Sequence, residues 1–144
     1  MATWSEFEQA APELAGVARG LLEAHRHLTI ATLRRDGSPR ISGIECEFAD
    51  GELWFGSMGQ GVKALDLRRD PRFALHSGTG DADRFAGDAK VSGRAVEVPT
   101  EGDSHRFRAE LHEVSTVRHG GDPADHLVID SWREGEEPKR RLRY

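Results

Sequence analysis

Apolar residues along this chain follow two rhythms. Leu14, Val17, Ala18, Leu21 and Leu22 recur at three- and four-residue intervals, which predicts an amphipathic helix over Glu13–Ala24. Ser5 and Glu8 have the spacing of a capping box and allow an extra turn ahead of Pro12. The runs "HLTIATLR", "RISGIECEF" and "ELWFGS" are short and rich in β-branched or aromatic residues. Asp36-Gly37 and Asp50-Gly51 separate them, and such pairs favour tight hairpin turns, so the three runs predict an antiparallel meander. A short helix over Gly61–Arg69 follows, stopped by Asp70-Pro71. "RFALHSG" resumes extended structure, and "AKVSGRAVEV" reads as a long strand whose apolar parity shifts between Val91 and Val96, placing a bulge near Gly93. Thr100 and Asp103 mark a third helix over Glu101–Glu113, "STVRHGGDPAD" reads as a loop, and "HLVIDSWREG" as the last strand.

About six strands, mostly joined by hairpins, and three helices predict a mainly β fold, a small antiparallel barrel with helices at its side or mouth. At 144 residues the expectation is one domain: an N-terminal helix in 1–27, the barrel with its helices in 28–134, and a basic tail in 135–144.

Composition narrows the function. A net charge of -5 with interspersed signs argues against nucleic-acid binding, which wants a basic face. No apolar run approaches the roughly 20 residues of a membrane span, and the acidic start "MATWSEFEQAAPE" lacks a signal-like core, so a cytoplasmic protein without membrane attachment is expected. A single cysteine, Cys46, excludes an internal disulfide and reads as an inward packing residue.

The segment Gly56-Ser57-Met58-Gly59-Gln60-Gly61-Val62-Lys63 carries the strongest chemical signal. A cation in the first turn of a helix sits at the positive end of the macrodipole, where an anion would be the favourable neighbour. Gly56 and Gly61 have P-loop spacing, but the lysine falls one residue late and Ala64 follows it where magnesium would need Ser or Thr. Gly59, Gly61 and Ala64 also match a dinucleotide-binding pattern, with Asp81 or Asp83 about 20 residues on, yet Asp-Gly hairpins upstream are the wrong context for β-α-β crossovers. Two readings remain: a solvated turn, or a phosphate site in which Ser57 supplies a hydroxyl, Gln60 an amide and Lys63 a charge.

From "TLRRDGSPRISGIECEFADGELWFGSMGQGVKALDLRRDPRFALHSG" to "AKVSGRAVEV", roughly Leu28 to Val98, the sequence resembles the pyridoxamine 5'-phosphate oxidase-like, FMN-binding split-barrel family and its deazaflavin-using branch. The resemblance implies a homodimer of six-stranded split barrels with a flavin in each of two clefts between subunits. It implies that Lys63 holds the cofactor phosphate with Ser57 and Gln60 beside it, and that Arg40, Ile41 and Ser42 reach the phosphate or ring edge. Trp132, and Arg140 or Arg141, are similar in placement to a tryptophan and an arginine donated across the interface. Interface packing for Trp132 and a frayed tail for the arginines are the competing assignments. Glu45 stands where a basic residue is usual, Asp88 where a glutamine is common, and Lys63 lacks its arginine neighbour; these departures speak against pyridoxamine phosphate as substrate.

The implied activity is an FMN-dependent oxidoreductase acting on a small organic molecule. A reductase using deazaflavin coenzyme F-420 and a non-catalytic flavin or haem carrier are alternatives on the same scaffold. Arg34, Arg35, Arg68 and Arg69 would suit the longer acidic tail of a deazaflavin, with ordinary surface charge as the competing assignment. A flavin brings its own redox chemistry, so no catalytic side chain is expected. Ser104-His105 and His76-Ser77 lack a nucleophile-elbow context, and the seven histidines form no H-x-x-x-H pair, so no metal site is expected either. His76 is the histidine placed for substrate contact, and Asp81 to Arg84 form a loop that could cover a ring.

Overall fold

The computed structural model describes residues 1–79 and 86–144, so Asp81 to Arg84 lie outside the described residues. Its elements are α1 (Trp4–Ala10), α2 (Pro12–Glu23), β1 (Leu28–Leu33), β2 (Pro39–Ile44), β3 (Cys46–Ala49), β4 (Glu52–Ser57), α3 (Val62–Arg69), β5 (Arg72–His76), β6 (Asp88–Val98), β7 (His105–Gly120), β8 (His126–Arg133) and β9 (Lys139–Arg143). Mainly antiparallel β structure with a few helices is as expected, but the strands number nine among the described residues, not six.

The order β2-β1-β5-β6-β7-β4-β3, with β8 and β9 continuing from β7, shows where the expected meander fails. "RISGIECEF" is two strands, not one. β2 pairs with β1, β3 pairs with β4, and the chain passes from one edge of the sheet to the other at Glu45. The turns themselves are as read: Asp50 and Gly51 both take positive φ, the left-handed pair that joins twisted strands tightly.

The third expected helix is a strand. His105, Phe107, Ala109 and Leu111 are buried on one face of β7, then burial switches to Val114 and Thr116. Ser92 pairs with Glu113 and Gly93 with Leu111, which leaves His112 as the extra residue of a bulge. The irregularity lies beside Gly93, as expected, but the added residue is on the partner strand. A Cβ at Gly93 would collide with the Glu110 carbonyl, so only glycine fits beneath the bulged strand. Most of the expected "STVRHGGDPAD" loop is the second half of β7, and the basic tail is ordered as β9 against β8.

At the N-terminus a full helix, α1, precedes α2, and the capping box belongs to Thr3 and Glu6, not Ser5 and Glu8. Ser5 donates instead to the Gly51 carbonyl at 2.8 Å. Thr3→Ala is therefore expected to cost about 1 kcal/mol in urea unfolding. A Thr3→Ala variant as stable as the parent would remove the cap from α1.

The two N-terminal helices cover one side of the sheet. Trp4, Phe7, Leu14, Ala18 and Leu22 are buried with Phe55, Phe73, Phe107 and Trp132 in a single core. Phe7 meets Trp132 at 4.9 Å between ring centroids, and Phe55 stands 5.2 Å from Phe73 and 5.8 Å from Phe107. No helix among the described residues is long and apolar enough to cross a membrane.

Candidate functional site

A cleft of about 740 Å³ opens where β2 gives way to β3, bounded on its other walls by the end of β4, the first turn of α3 and the start of β7. That volume lies within the usual range for cofactor and ligand sites. Gly43, Cys46, Phe55, Ser57, Lys63, Ser104, His105 and Arg106 are among its lining residues. Burial pushes the Cys46 thiol up to about 12, so Cys46 is an uncharged wall residue at neutral pH, as its strand position implied.

The glycine-rich segment forms the lip of the cleft. After β4 the chain turns through Gln60, which has a positive φ of 62°, and the Gly61 N–H donates to the Met58 carbonyl at 3.0 Å. Gly61 caps α3 in extended conformation, and a Cβ there would strike the Ser57 hydroxyl. A Cβ at Gly59 would come within 2.6 Å of the Asp103 carbonyl. The two glycines thus let the lip fold tightly against Ser57 and against the chain entering β7. The first turn of α3 contains no acidic residue, and Lys63, which lines the cleft, adds its charge to the positive end of that helix.

α3 is anchored by ionic and hydrogen-bonding groups. Asp66, buried on its inner face, accepts from the Thr32 hydroxyl at 2.8 Å, from Arg40 Nε at 2.7 Å and from Arg69 Nη2 at 2.9 Å. Burial alone would raise the Asp66 carboxyl, but these three donors outweigh it and hold the group below its ordinary range. Arg68 reaches across to β6 with a two-point pair to Glu97, at 2.7 and 2.9 Å. His105 Nδ1 lies 3.0 Å from the same carboxylate.

Arg68, and then His105, hold Glu97 at a pKa of about 2. A carboxylate depressed in the folded state stabilises it above the unfolded value of about 4.3, and that support fades as pH falls toward the folded value. Glu97→Gln is therefore expected to flatten the loss of stability between about pH 4.5 and pH 2, followed by urea midpoints across that window. An unchanged acid slope would show that Glu97 does not anchor α3.

The residues expected from sequence to share one site divide among several places. Ser57 and Lys63 line the cleft, and Gln60 lies just beyond, in a depression with Thr100, Gly102 and Asp103. Arg40 lines a separate depression with Val62, Leu65 and Asp66, its Nε committed to Asp66. Ser42 is half-buried on β2, while Ile41, on the opposite face of that strand, is 75% exposed. Trp132 is withdrawn into the core against Phe7, so within this chain its ring is a packing element. Arg141 is exposed on β9 opposite Ile129, and Arg140 pairs with Asp130 at 2.7 Å. His76 Nδ1 donates to the Ser77 carbonyl, 2.6 Å away, and the side chain does not line the cleft.

Sequence reasoning missed Asp66, Glu97, His105 and the Arg106–Trp54 pair, whose guanidinium stacks 3.9 Å from the indole at the cleft wall. The alternation of His105, Phe107, Ala109 and Leu111 was the available signal for His105. Little local marks Asp66 or Glu97, because Thr32 and Arg40 lie 34 and 26 positions from Asp66, and Arg68 lies 29 from Glu97. Among the described residues no three His, Cys, Asp or Glu side chains gather as a metal-binding group.

The split-barrel cleft can be set beside known proteins. The family described as pyridoxamine 5'-phosphate oxidase matches residues 14–130. Among solved structures, a pyridoxamine 5'-phosphate oxidase-related, FMN-binding protein from Nostoc punctiforme superposes with a TM-score of 0.65 at 11% identity, covering 96% of this chain and 97% of its own. PhzG from Burkholderia lata, solved with tetrahydrophenazine-1-carboxylic acid, gives 0.66 at 13% identity over 96% and 91%. A haem-binding protein from Mycobacterium smegmatis gives 0.67 at 17% identity, covering 83% of this chain and 57% of that one. No curated protein sequence matches. The structural likenesses establish the fold; the family match covers most of the sequence, and by it the chain belongs to the pyridoxamine 5'-phosphate oxidase family.

Proposed function

We propose that this protein is an FMN-dependent oxidoreductase that holds the cofactor phosphate at the lip of the cleft, in a homodimer whose second copy completes the site. The observation that carries this reading is the placement of Ser57, against which the capping glycine Gly61 packs, and of Lys63 at one mouth of a roughly 740 Å³ cleft. A dianionic phosphate fits such a lip, because it satisfies free helix N–H groups and neutralises Lys63 together. FMN supplies the hydride and electron chemistry when bound. The chain's part is to fix the phosphate, to offer Phe55 and Cys46 as an apolar wall and to limit water. Exposed Ile41, Met58, Val62 and Leu65 surround α3 and β2, an apolar surface suited to burial against a second copy.

A deazaflavin with a longer acidic tail is less well served. Arg68 is committed to Glu97, and Arg69 to Asp66 and the Leu33 carbonyl, leaving that arginine cluster largely engaged within the chain. Haem binding is the second reading, favoured by the likeness to the mycobacterial haem-binding protein.

The absorption spectrum of the purified protein tests the proposal. Oxidised-flavin bands, bleached by a reduced nicotinamide or a substrate and eluting with a dimer, are expected. A Soret band would establish haem instead, and a colourless protein that quenches added deazaflavin but not FMN would move it to that branch. A flavin band that no reductant or substrate bleaches would reduce the protein to a carrier.

A further inference from the structure

We infer that His105 is a further ligand contact of this cleft, an imidazole set beside Ser57 whose Nε2 donates to the same anionic group as Lys63; the inference rests on the proposed phosphate-bearing ligand. Ser57 of β4 and His105 of β7 are directly opposed in the antiparallel register, so their side chains lie on the same face of the sheet. That face is the core face: the preceding opposed pair, Phe55 and Phe107, is buried and stacked. Ser57 and His105 are the next pair, where the core ends and the cleft begins. A polar pair replaces an apolar one at that level, although His105 is only 8% exposed.

Its orientation is fixed from behind. Glu97 is ionised and already held by both Arg68 donors, and its Oε2 lies 3.0 Å from His105 Nδ1. The proton on that nitrogen therefore points to Glu97, since a bare Nδ1 would set its lone pair against a carboxylate. Arg68 Nη2 also comes within 3.1 Å of Nδ1, as two donors converging on one acceptor do. Nε2 is then the nitrogen left for a ligand.

The charged and titratable groups around the ring come from every neighbouring element: Lys63 and Arg68 on α3, Glu97 on β6, Asp103 before β7, Arg106 beside it, and His27, Glu45 and Glu47 across the cleft. An anion docking at Lys63 adds negative charge to this set, and a proton held at Nε2 compensates it. Arg68 and Glu97 are positioning residues here, acting only through His105.

Nitrogen-15 spectra of the histidine-labelled protein and fluorescence titrations test this. Addition of FMN, or of inorganic phosphate, is expected to move His105 Nε2 to the protonated imidazolium position and keep it there above pH 7. Riboflavin, which lacks the phosphate, is expected to leave it unmoved. His105→Gln and His105→Phe should each lose about tenfold in affinity for FMN and nothing for riboflavin. Glu97→Gln should shift the Nδ1 proton signal and reproduce part of the His105→Gln loss. If FMN binds with full dependence on Lys63 while His105 Nε2 stays silent, this inference falls and the cofactor reading stands. If no flavin binds but phosphate moves Nε2, the cofactor reading falls and His105 remains an anion contact. Binding of neither FMN nor phosphate overturns both.

Discussion

Asp66→Ala is expected to lower stability by about 3 kcal/mol in urea unfolding at neutral pH. The substitution removes the one acceptor shared by Thr32, Arg40 and Arg69, and Thr32 is buried beyond reach of replacement water. Loss of a partner inside a buried ionic cluster runs to 3–5 kcal/mol in general, and the lower end applies because both arginines can turn partly to solvent. Asp66→Asn, which keeps the shape and one acceptor, should cost less. Its acid profile should also be flatter, because the Asp66 carboxylate supports the fold above its ordinary value of about 3.9 and loses that support as pH falls through its lowered folded value. A change below about 1 kcal/mol in Asp66→Ala would show that Asp66 does not anchor α3.

Lys63→Ala is expected to weaken FMN binding by about 1.5–3 kcal/mol while leaving riboflavin affinity unchanged. The lysine lies in the first turn of α3 where no acidic side chain competes for it, so its charge is available to a phosphate. Titration of apo-protein by flavin fluorescence, with both ligands against both proteins, reads the difference directly. Equal FMN affinities in parent and variant would take the phosphate away from this lip. The two substitutions separate support from contact: Asp66→Ala should weaken the fold and the cofactor together, Lys63→Ala the cofactor alone.

The pyridoxamine 5'-phosphate oxidase family membership and the β-rich barrel were legible because they rest on local signals. Asp-Gly pairs make tight turns in almost any context, and Gly61 with Lys63 opens a helix after a strand regardless of what surrounds it. The reading failed where one local pattern stood for two structures. Phe107, Leu111 and Val114 are spaced four and three apart, as on a helix, only because the bulge at His112 reverses the inward parity of a strand. Likewise "RISGIECEF" has the continuous appearance of one strand, and its break at Glu45 follows from closing the sheet, not from any residue that forbids extension.

The amino-acid order determined the elements around the lip, the glycine turn, the helix that follows and the lysine at its start, because each depends on neighbours a few residues away. Tertiary structure alone decided that Trp132 belongs to the core with Phe7, that Arg40 is bound to Asp66, and that His105 stands opposite Ser57 with Glu97 behind it. Arg40 and Asp66 are 26 positions apart, and His105 and Glu97, though only eight apart, lie on different strands, so strand register, which a single inserted residue reverses, decides which of them meet.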